Sequence, residues 1–243
     1  MFEEFKNKVL FVTGAASGMG RAVAVRFGGL GCKVAVAARR PDAGAETVRL
    51  VKEAGGDAMF VPCDVADDAS VKAAIDTTVA AWGSIDFAFN NAGCGADGVH
   101  IPFVPLTEVT EGDWDKVIDT NLKGVFHCLK YELIQMQKQG SGAIVNTSSI
   151  GGLHMAPMFG AYGPSKAGIR VNVICPGPTE GTNLMADSVA AGSQDTEFLK
   201  EHIIPMGKLG TTQDVADSVV YLCSNMAGHV TGMALPVCGG MQM

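Results

Sequence analysis

Short apolar segments alternate with helix-like segments along the whole chain, and this alternation constrains the fold more than any other feature. The first four apolar segments have the length and residue types of buried strands: "KVLFVTG", "KVAVAAR", "AMFVPCDV" and "IDFAFNNAG". A segment with helical spacing follows each of them. Strands that alternate with helices form βαβ units, so we expect an α/β fold: a three-layer, doubly wound parallel sheet.

Nothing in the composition divides the chain, and we expect a single domain over residues 1–243. Hydrophobic residues make up 47% and charged residues 18%, which is typical of a globular protein. The stretch from about 179 to 205 has the least regular pattern. We expect it to form an irregular substrate loop or lid.

Charge, hydropathy and cysteine usage exclude several kinds of partner. The formal net charge of −7 disfavours nucleic-acid binding. No apolar run approaches the about 20 residues that span a bilayer, and the opening "MFEEFKNKVLFVTG" lacks a signal-peptide pattern. The seven cysteines are scattered without a CxxC pair, which predicts neither a disulfide framework nor a metal site. We therefore expect a cytoplasmic protein with no membrane or nucleic-acid partner.

A glycine-rich turn, "TGAASGMG", lies between the first strand and the first helix. Gly14, Gly18 and Gly20 allow the backbone to turn tightly and to approach a ligand without Cβ clashes. The helix that follows offers free N–H groups and a positive dipole end to a diphosphate. A glycine pattern alone is weak, but its place in a strand–turn–helix favours dinucleotide binding.

Five motifs in order resemble those of the short-chain dehydrogenase/reductase family over nearly the whole chain. They are the turn with its Gly-x-x-x-Gly-x-Gly spacing, "NNAG" at 90–93, Asn121, "SS" at 148–149 and "YGPSK" at 162–166. The resemblance implies a Rossmann-type sheet of about seven parallel strands and a nicotinamide cofactor. It also implies hydride transfer to or from a secondary alcohol or ketone, in a homotetramer or homodimer.

The resemblance also implies a cofactor site at the ends of several strands. Its predicted residues are Gly14, Ser17, Gly18, Met19, Gly20, Arg39, Arg40, Asp64, Val65, Asn91, Ala92, Gly93, Tyr162, Lys166, Pro176, Gly177, Thr179 and Thr182. After the second strand, Arg39 and Arg40 stand where an acidic residue would select NAD(H). A guanidinium can pair with a 2′-phosphate, so NADP(H) is the preferred cofactor, with NAD(H) as the alternative.

The predicted catalytic residues are Asn121, Ser149, Tyr162 and Lys166. A free tyrosine has a pKa of about 10, and a nearby ammonium lowers that pKa. Spaced four apart, Tyr162 and Lys166 would share one face of a helix. The resemblance makes Tyr162 the general acid/base and Lys166 its activator, with Ser149 orienting the substrate oxygen and Asn121 holding a water. Ser148 replaces Ser149 if the register slips by one residue.

The sequence contains one internal conflict, in "YGPSKAGIRVNVICPG". Ligands bind at the carboxyl edge of such a sheet, which puts Tyr162 and Lys166 there. The strand "IRVNVIC" begins at Ile169 and must start at the opposite edge, about 20 Å away. The three peptide links from Lys166 to Ile169 reach no farther than about 11 Å. The crossover helix that the family places here is missing.

Three explanations of the missing helix stay open. The sequence omits residues that the natural chain contains, or the deletion is real, or the segment 150–161 forms a shorter crossover. A real deletion would leave a catalytically impaired dinucleotide-binding or sensing protein. A Lys166–Ile169 Cα separation well beyond about 11 Å would indicate a break in the chain.

Overall fold

A computed structural model describes residues 3–94, 108–148, 169–190, 192 and 195–241. Within these ranges a seven-stranded sheet has every neighbouring pair parallel, in the order β3-β2-β1-β4-β5-β6-β9. Its strands are β1 Val9–Thr13, β2 Lys33–Ala38, β3 Asp57–Pro62, β4 Phe87–Asn90, β5 Gly142–Thr147, β6 Ile169–Pro176 and β9 Ala234–Val237. Two further short strands, β7 Thr179–Glu180 and β8 Gly210–Thr211, pair with each other. The expected doubly wound parallel sheet is confirmed.

The helices occupy the connections between the strands. They are α1 Gly18–Gly28, α2 Pro41–Glu53, α3 Asp68–Trp82, α4 Glu111–Ile118, α5 Gly124–Gln139, α6 Asn183–Ala190, α7 Thr196–Phe198 and α8 Thr212–Cys223. Two π-helical segments continue α4 and α7, at Asp119–Lys123 and Leu199–Ile203. Two 3₁₀ turns cover Glu3–Phe5 and Asn225–Ala227.

The sheet separates two hydrophobic cores because its apolar side chains alternate between the two faces. On one face α1 and α8 pack over β1, β4 and β5, with Val23, Phe27 and Leu222 fully buried. On the other face α3 and α5 pack over the sheet, with Ile75 and Met136 in the core. Both faces are therefore covered, as a parallel sheet requires.

The register of the strands gathers the predicted site loops at one edge. Thr13, Asn90 and Thr147 end β1, β4 and β5, and the loops that follow them leave from the same edge. Ile169 pairs with Gly142, so β6 starts at the opposite edge. The expectation that β6 starts at the edge opposite the predicted cofactor site is confirmed. The expected position of Tyr162 and Lys166 stays a prediction, because both lie outside the described residues.

Two regions differ from the expectation. The segment with helical spacing that follows β4 is interrupted at Asp119–Lys123, where i→i+5 hydrogen bonds replace the α pattern. The stretch expected to be irregular contains α6, α7 and a π-helical segment. Asp195 caps α7 by accepting from the N–H groups of Glu197 and Phe198. No helix in the described parts of the chain combines the length and hydropathy of a membrane span.

Candidate dinucleotide-binding and active site

The glycine turn after β1 packs against the loop after β4 at backbone distance. Gly14 has φ +65°, and a Cβ added there would lie 2.9 Å from the Cα of Ala92. A Cβ on Gly20 would lie 2.5 Å from the carbonyl oxygen of Gly14. Both contacts are closer than any side chain tolerates, so glycine is required at both positions.

Hydrogen bonds from the end of β1 fix the loop after β4. The Thr13 hydroxyl accepts from the backbone N–H of Asn91 at 3.0 Å and of Ala92 at 3.1 Å. The Asn91 amide donates back to the Thr13 carbonyl at 3.3 Å. The other atom of that amide, Oδ1, is buried and has no hydrogen-bond partner among the described residues. It remains available as an acceptor at the edge of the turn.

Arg21 stiffens the same turn from behind. Its Nε donates to the Thr47 hydroxyl at 2.9 Å, and its Nη2 donates to the carbonyl of Ala16. The Thr47 hydroxyl in turn donates to the carbonyl of Ala15 at 2.9 Å. The first-turn N–H groups of α1 therefore start from a rigid loop, which is the arrangement that binds a diphosphate.

The residues after β2 and β3 lie beside the turn. Arg40 Nη2 is 3.4 Å from the Ser17 hydroxyl, and Arg39 Nη1 is 4.0 Å from a carboxylate oxygen of Asp64. Both arginines are exposed. Asp64 accepts from the N–H of Ala66 at 3.1 Å, while Asp67 is the residue that caps α3. Asp64 therefore does not cap this helix, although it is an acidic residue close to the helix start.

Val65 connects this part of the site to α5. It is buried, and its carbonyl lies 2.9 Å from Nδ1 of His127. A Cβ on Gly124 would lie 2.7 Å from a methyl group of Val65, so the start of α5 approaches this loop very closely. The loop after β3 and the helix that follows Asn121 thus have one fixed relative position.

The loop after β6 reaches over the turn. The Thr179 hydroxyl donates to the carbonyl of Gly177 at 2.9 Å, and the Thr182 hydroxyl donates to the carbonyl of Thr179 at 3.0 Å. Thr182 also accepts from the N–H of Met185 at 3.2 Å, at the start of α6. A Cβ on Gly18 would lie 3.8 Å from the Cα of Thr182. The structure thus brings the first and last predicted cofactor loops into contact.

Cys238 packs directly on this loop. A Cβ on Gly177 would lie 2.9 Å from the Cβ of Cys238. The Cys238 thiol contacts the carbonyl of Met241 at 3.5 Å. Close packing against glycine therefore holds the carboxyl end of β9 beside the loop after β6.

Asn121 lies inside the π-helical segment, and its amide is bound to the backbone of Cys94. Oδ1 accepts from the Cys94 N–H at 2.8 Å, and Nδ2 donates to the Cys94 carbonyl at 2.6 Å. The amide keeps one further lone pair and one further N–H. A π-bulge at this point is typical of a functional site, and the sequence pattern gave no sign of it.

A buried polar cluster beneath the loops was also missed. Glu132 of α5 is fully buried, and its Oε2 accepts from Nδ2 of Asn90 at 2.9 Å. The same nitrogen donates to Oδ1 of Asn146 at 2.9 Å. Desolvation raises the pKa of Glu132 to about 7, although the hydrogen bond from Asn90 opposes the rise. In the sequence, "KYELIQM" gives no signal that its glutamate points into the core.

A cleft of about 550 Å³ opens beside the loop after β6. Its apolar lining comes from Met185, Val189 and Leu209, and Glu180 and Lys200 add charged groups. The cleft lies within the stretch expected to form the lid. Its position next to Thr182 puts it beside the end of the predicted cofactor site.

The structure describes only some of the predicted catalytic residues. Asn121 is placed beside the loop that carries Gly93, since a Cβ there would lie 3.4 Å from its Oδ1. Ser148 follows β5 and is exposed, and its N–H donates to the carbonyl of Ile174 at 2.9 Å. Ser149, Tyr162 and Lys166 lie outside the described residues.

Comparison with known proteins connects this geometry to a family. Residues 8–192 match the family model of short chain dehydrogenases, and residues 167–242 match a model described as enoyl-(acyl carrier protein) reductase. An uncharacterized oxidoreductase of Thermotoga maritima is 39% identical over 97% of this chain and 98% of its own length. The 3beta-hydroxysteroid dehydrogenase 1 of Eggerthella lenta is 35% identical over 100% of this chain and 97% of its own.

Solved structures agree with this comparison. Levodione reductase superposes with a TM-score of 0.89 at 30% identity, covering 97% of this chain and 98% of its own. NAD⁺-bound xylitol dehydrogenase gives a TM-score of 0.86 at 29% identity, covering 98% of this chain and 100% of its own. An actinorhodin polyketide ketoreductase variant with NADPH gives 0.88 at 31% identity, covering 96% and 97%.

The alignments also show that the relatives are longer. The Thermotoga alignment spans 254 positions but 97% of the 243 residues, about 236, which leaves about 18 positions opposite gaps in this chain. The Eggerthella alignment spans 261 positions and all of this chain, which again leaves about 18. Apart from these gaps, the two relatives align with 97% and 100% of the chain. Together with the family model over residues 8–192, this shows that the chain belongs to the short-chain dehydrogenase/reductase family of NAD(P)-dependent oxidoreductases.

Proposed function

We propose that this protein transfers a hydride between NADP(H) and a secondary alcohol or ketone. The observation that carries the proposal is the three-loop cradle at the carboxyl edge of the sheet. There the glycine turn, the Asn91–Ala92 loop and Thr182 meet within contact distance. The cradle has no room for a Cβ at Gly14 or Gly20, and it presents the buried Oδ1 of Asn91, which has no hydrogen-bond partner among the described residues. Both features fit a bound dinucleotide.

In this proposal Tyr162 exchanges a proton with the substrate oxygen, and Lys166 lowers the pKa of its phenol. Ser149 orients the same oxygen. Asn121 holds a water with the lone pair and the N–H that its bonds to Cys94 leave free. The nicotinamide, when bound, donates or accepts the hydride. The substrate enters through the cleft lined by Met185 and Val189, whose apolar surface suits a ketone of modest size.

The seven cysteines support a reducing compartment such as the cytoplasm. All seven are free thiols, and six of them are buried. Burial raises the pKa of Cys32, Cys63 and Cys223 to about 12, which keeps these thiols neutral and unreactive. A chain that keeps so many free thiols is typical of proteins that are not exposed to an oxidising environment.

The cradle predicts a specific effect of a single methyl group. Gly20→Ala would push a Cβ against the Gly14 carbonyl, which overpacks the turn by about 1–3 kcal/mol. We expect the NADPH dissociation constant, measured by fluorescence titration, to rise by about 5- to 150-fold. Gly112→Ala is the matched control, because no atom lies within 4 Å of its Cβ in helix α4. Equal nucleotide binding by both variants would contradict the cradle.

The preference for NADP(H) is proposed from Arg39 and Arg40. No carboxylate follows β2 directly, and Arg40 lies next to Ser17 of the turn. The carboxylate of Asp64 lies 4.0 Å from Nη1 of Arg39 and forms an exposed ion pair with it. A 2′-phosphate would therefore meet two guanidinium groups and little repulsion.

Replacing Arg40 tests this preference. A charge-assisted hydrogen bond contributes about 1.5–3 kcal/mol, so Arg40→Ala should weaken NADPH binding by about 10- to 100-fold. NADH binding should change by less than about threefold, because NADH has no 2′-phosphate. Arg49→Ala removes an exposed arginine of α2 that pairs with Glu46 and Glu53, and it should affect neither nucleotide. Equal losses for both nucleotides would argue against a phosphate contact.

A second candidate function, dinucleotide binding without turnover, is favoured by the register of β6. The strand starts at Ile169 and its eight residues rise about 26 Å to the carboxyl edge. Three peptide links allow Lys166 to lie no farther than about 11 Å from Ile169. The alignments leave about 18 positions opposite gaps in this chain, and a single insertion of that length after Lys166 would form a helix of about 27 Å, which is long enough to cross the sheet.

One set of variants separates the two functions. Turnover is measured with NADPH across a panel of ketones in the 243-residue chain, in Tyr162→Phe, and after insertion of a designed 18-residue helix between Gly168 and Ile169. If the oxidoreductase proposal holds for this chain, it turns over, and Tyr162→Phe loses about 10²–10⁴-fold in kcat with NADPH affinity unchanged.

If the chain binds NADPH but turns over only after the insertion, the second function is correct for the 243-residue form. The same Tyr162→Phe change in the inserted chain must then abolish the restored activity. Activity that survives Tyr162→Phe in either background would exclude Tyr162 as the acid/base.

We further propose that the chain forms a homodimer, or a tetramer built from two such dimers, through α5. Leu122 is 53%, Phe126 61% and Ile134 45% exposed, and their spacing of four and eight residues puts them on one stripe. Three large apolar side chains in one exposed stripe indicate a protein contact.

Phe126→Asp tests the subunit contact. An unpaired carboxylate in an apolar interface is strongly unfavourable, so we expect the variant to sediment as a monomer at concentrations where the unmodified protein is a dimer or tetramer. Met226→Asp is the control, since Met226 is 63% exposed in the turn after α8. An unchanged sedimentation coefficient for Phe126→Asp would exclude this stripe as the contact.

A further inference from the structure

Glu132 is a carboxyl group in the core without an ion-pair partner. It is fully buried, and none of the ion pairs among the described residues includes it. Its Oε2 accepts one hydrogen bond, from Nδ2 of Asn90 at 2.9 Å. A buried, unpaired carboxylate is among the least favourable groups a protein can hold, and such groups usually become neutral.

One oxygen atom of Glu132 and one of Asn90 lack a hydrogen-bond donor among the described residues. Glu132 Oε1 and Asn90 Oδ1 are both buried, and neither has a hydrogen-bond partner among the described residues. Oε1 is the second oxygen of the carboxyl group, and Oδ1 is the only oxygen of the amide whose Nδ2 donates to that carboxyl group. A proton on the carboxyl group turns its oxygen into a donor. One proton on Oε1 would therefore supply what both unsatisfied atoms need.

Glu132 and Asn90 also lie at the carboxyl ends of two strands that lead into the proposed site. Asn90 ends β4, and the next two residues carry the N–H groups that bond to Thr13 in the cradle. The Asn90 amide also donates to Asn146 of β5 at 2.9 Å, two residues before Ser148. Through Asn90, α5 is thus joined to the two strands whose ends lead into the proposed site.

We propose that Glu132 is a positioning residue: as the neutral acid it donates a hydrogen bond to Asn90, and the closed pair holds the carboxyl ends of β4 and β5 beneath the dinucleotide site. The proposal deepens the proposed function but needs no turnover for its test. If the unmodified protein shows no turnover but the Glu132 variants show the effects described below, only the proposed function is contradicted. If turnover is present but those effects are absent, only the proposal on Glu132 is contradicted.

The surroundings of Glu132 favour the neutral acid. Burial raises its pKa to about 7. The thiols that interact with it are neutral, because burial raises the pKa of Cys63 to about 12 and that of Cys128 well above its usual value. The other charged groups described on α3 and α5 lie at the surface, where Lys72–Asp76 and Lys130–Asp68 are ion pairs and Lys138 is exposed. No described cation is therefore placed to hold the carboxylate form.

The sign of the pH effect follows from the direction of this shift. The folded protein keeps the Glu132 proton up to about pH 7, whereas the unfolded chain releases it near 4.5. The stabilisation is fully present below pH 4.5 and is lost as the pH rises through 7. Between pH 5 and 8 the folding equilibrium constant should fall roughly 10²-fold from this group.

Glu132→Gln is the matched variant, because its amide donates and accepts as the neutral acid would but does not titrate. We expect unfolding by urea to show the 10²-fold decline between pH 5 and 8 in the unmodified protein and to show it reduced by at least tenfold in Glu132→Gln. NADPH affinity should weaken above pH 7 in the unmodified protein and stay constant in Glu132→Gln. Identical pH profiles of the two proteins would overturn the proposal.

Glu132→Leu roughly keeps the volume but removes both oxygen atoms, so Asn90 loses its partner on α5 and keeps only Asn146. It should bind NADPH at least about tenfold more weakly than Glu132→Gln at pH 6. Binding as tight as that of Glu132→Gln would show that the carboxyl group only fills space, and it would overturn the positioning role. If Glu132→Leu does not fold, the pH comparison of the first two proteins decides the question alone.

Discussion

Parallel pairing is the constraint from which the rest of this structure follows. Every strand of the sheet starts at one edge and ends at the other, so each connection must return across the sheet before the next strand can pair. The same rule collects the loops after β1, β4 and β6 at one edge, where the glycine turn, Asn91 and Thr182 meet. A site for a long ligand at that edge is thus a consequence of the topology, and only its chemistry depends on individual residues.

That constraint also explains why a short stretch between Lys166 and Ile169 matters so much. Elsewhere in the sheet a deletion in a surface loop would change the loop alone. Here the connection must lead from the cofactor edge to the start of β6, and Ile169 is fixed there by its pairing with Gly142. The motifs before Lys166 and after Ile169 each match the family pattern. The connection between them is nevertheless shorter than the family pattern requires. Local motifs carry no information on whether the chain can bring them together.

The sequence was sufficient to predict the strands, the order of helices and the glycine turn, because periodicity and residue type determine these locally. It did not predict the π-helical segment at Asn121, since hydrophobic spacing does not distinguish an i→i+5 bond from an i→i+4 bond. The helices α6 and α7 were missed because their glycine, serine and aspartate neighbours resemble those of a loop. The role of Asp64 could not be assigned either, because three acidic residues close to α3 compete for its first N–H groups.

Glu132 was missed for a different reason: the general rule about its residue type is correct, and this position is the exception. A glutamate inside a helix is expected to face water, and burying it as a carboxylate would require several kcal/mol. As a neutral acid it avoids most of that penalty, and two hydrogen bonds to Asn90 would return about 1 kcal/mol each. A leucine would avoid the cost of burying a carboxyl group but would remove the α5 partner of the Asn90 amide at the junction of β4, β5 and α5. Glu132 is therefore tolerated in the core only when both of its hydrogen bonds to Asn90 are formed. Two hydrogen bonds fix one relative position of the two side chains, and a strand end beneath a cofactor loop needs such a fixed position.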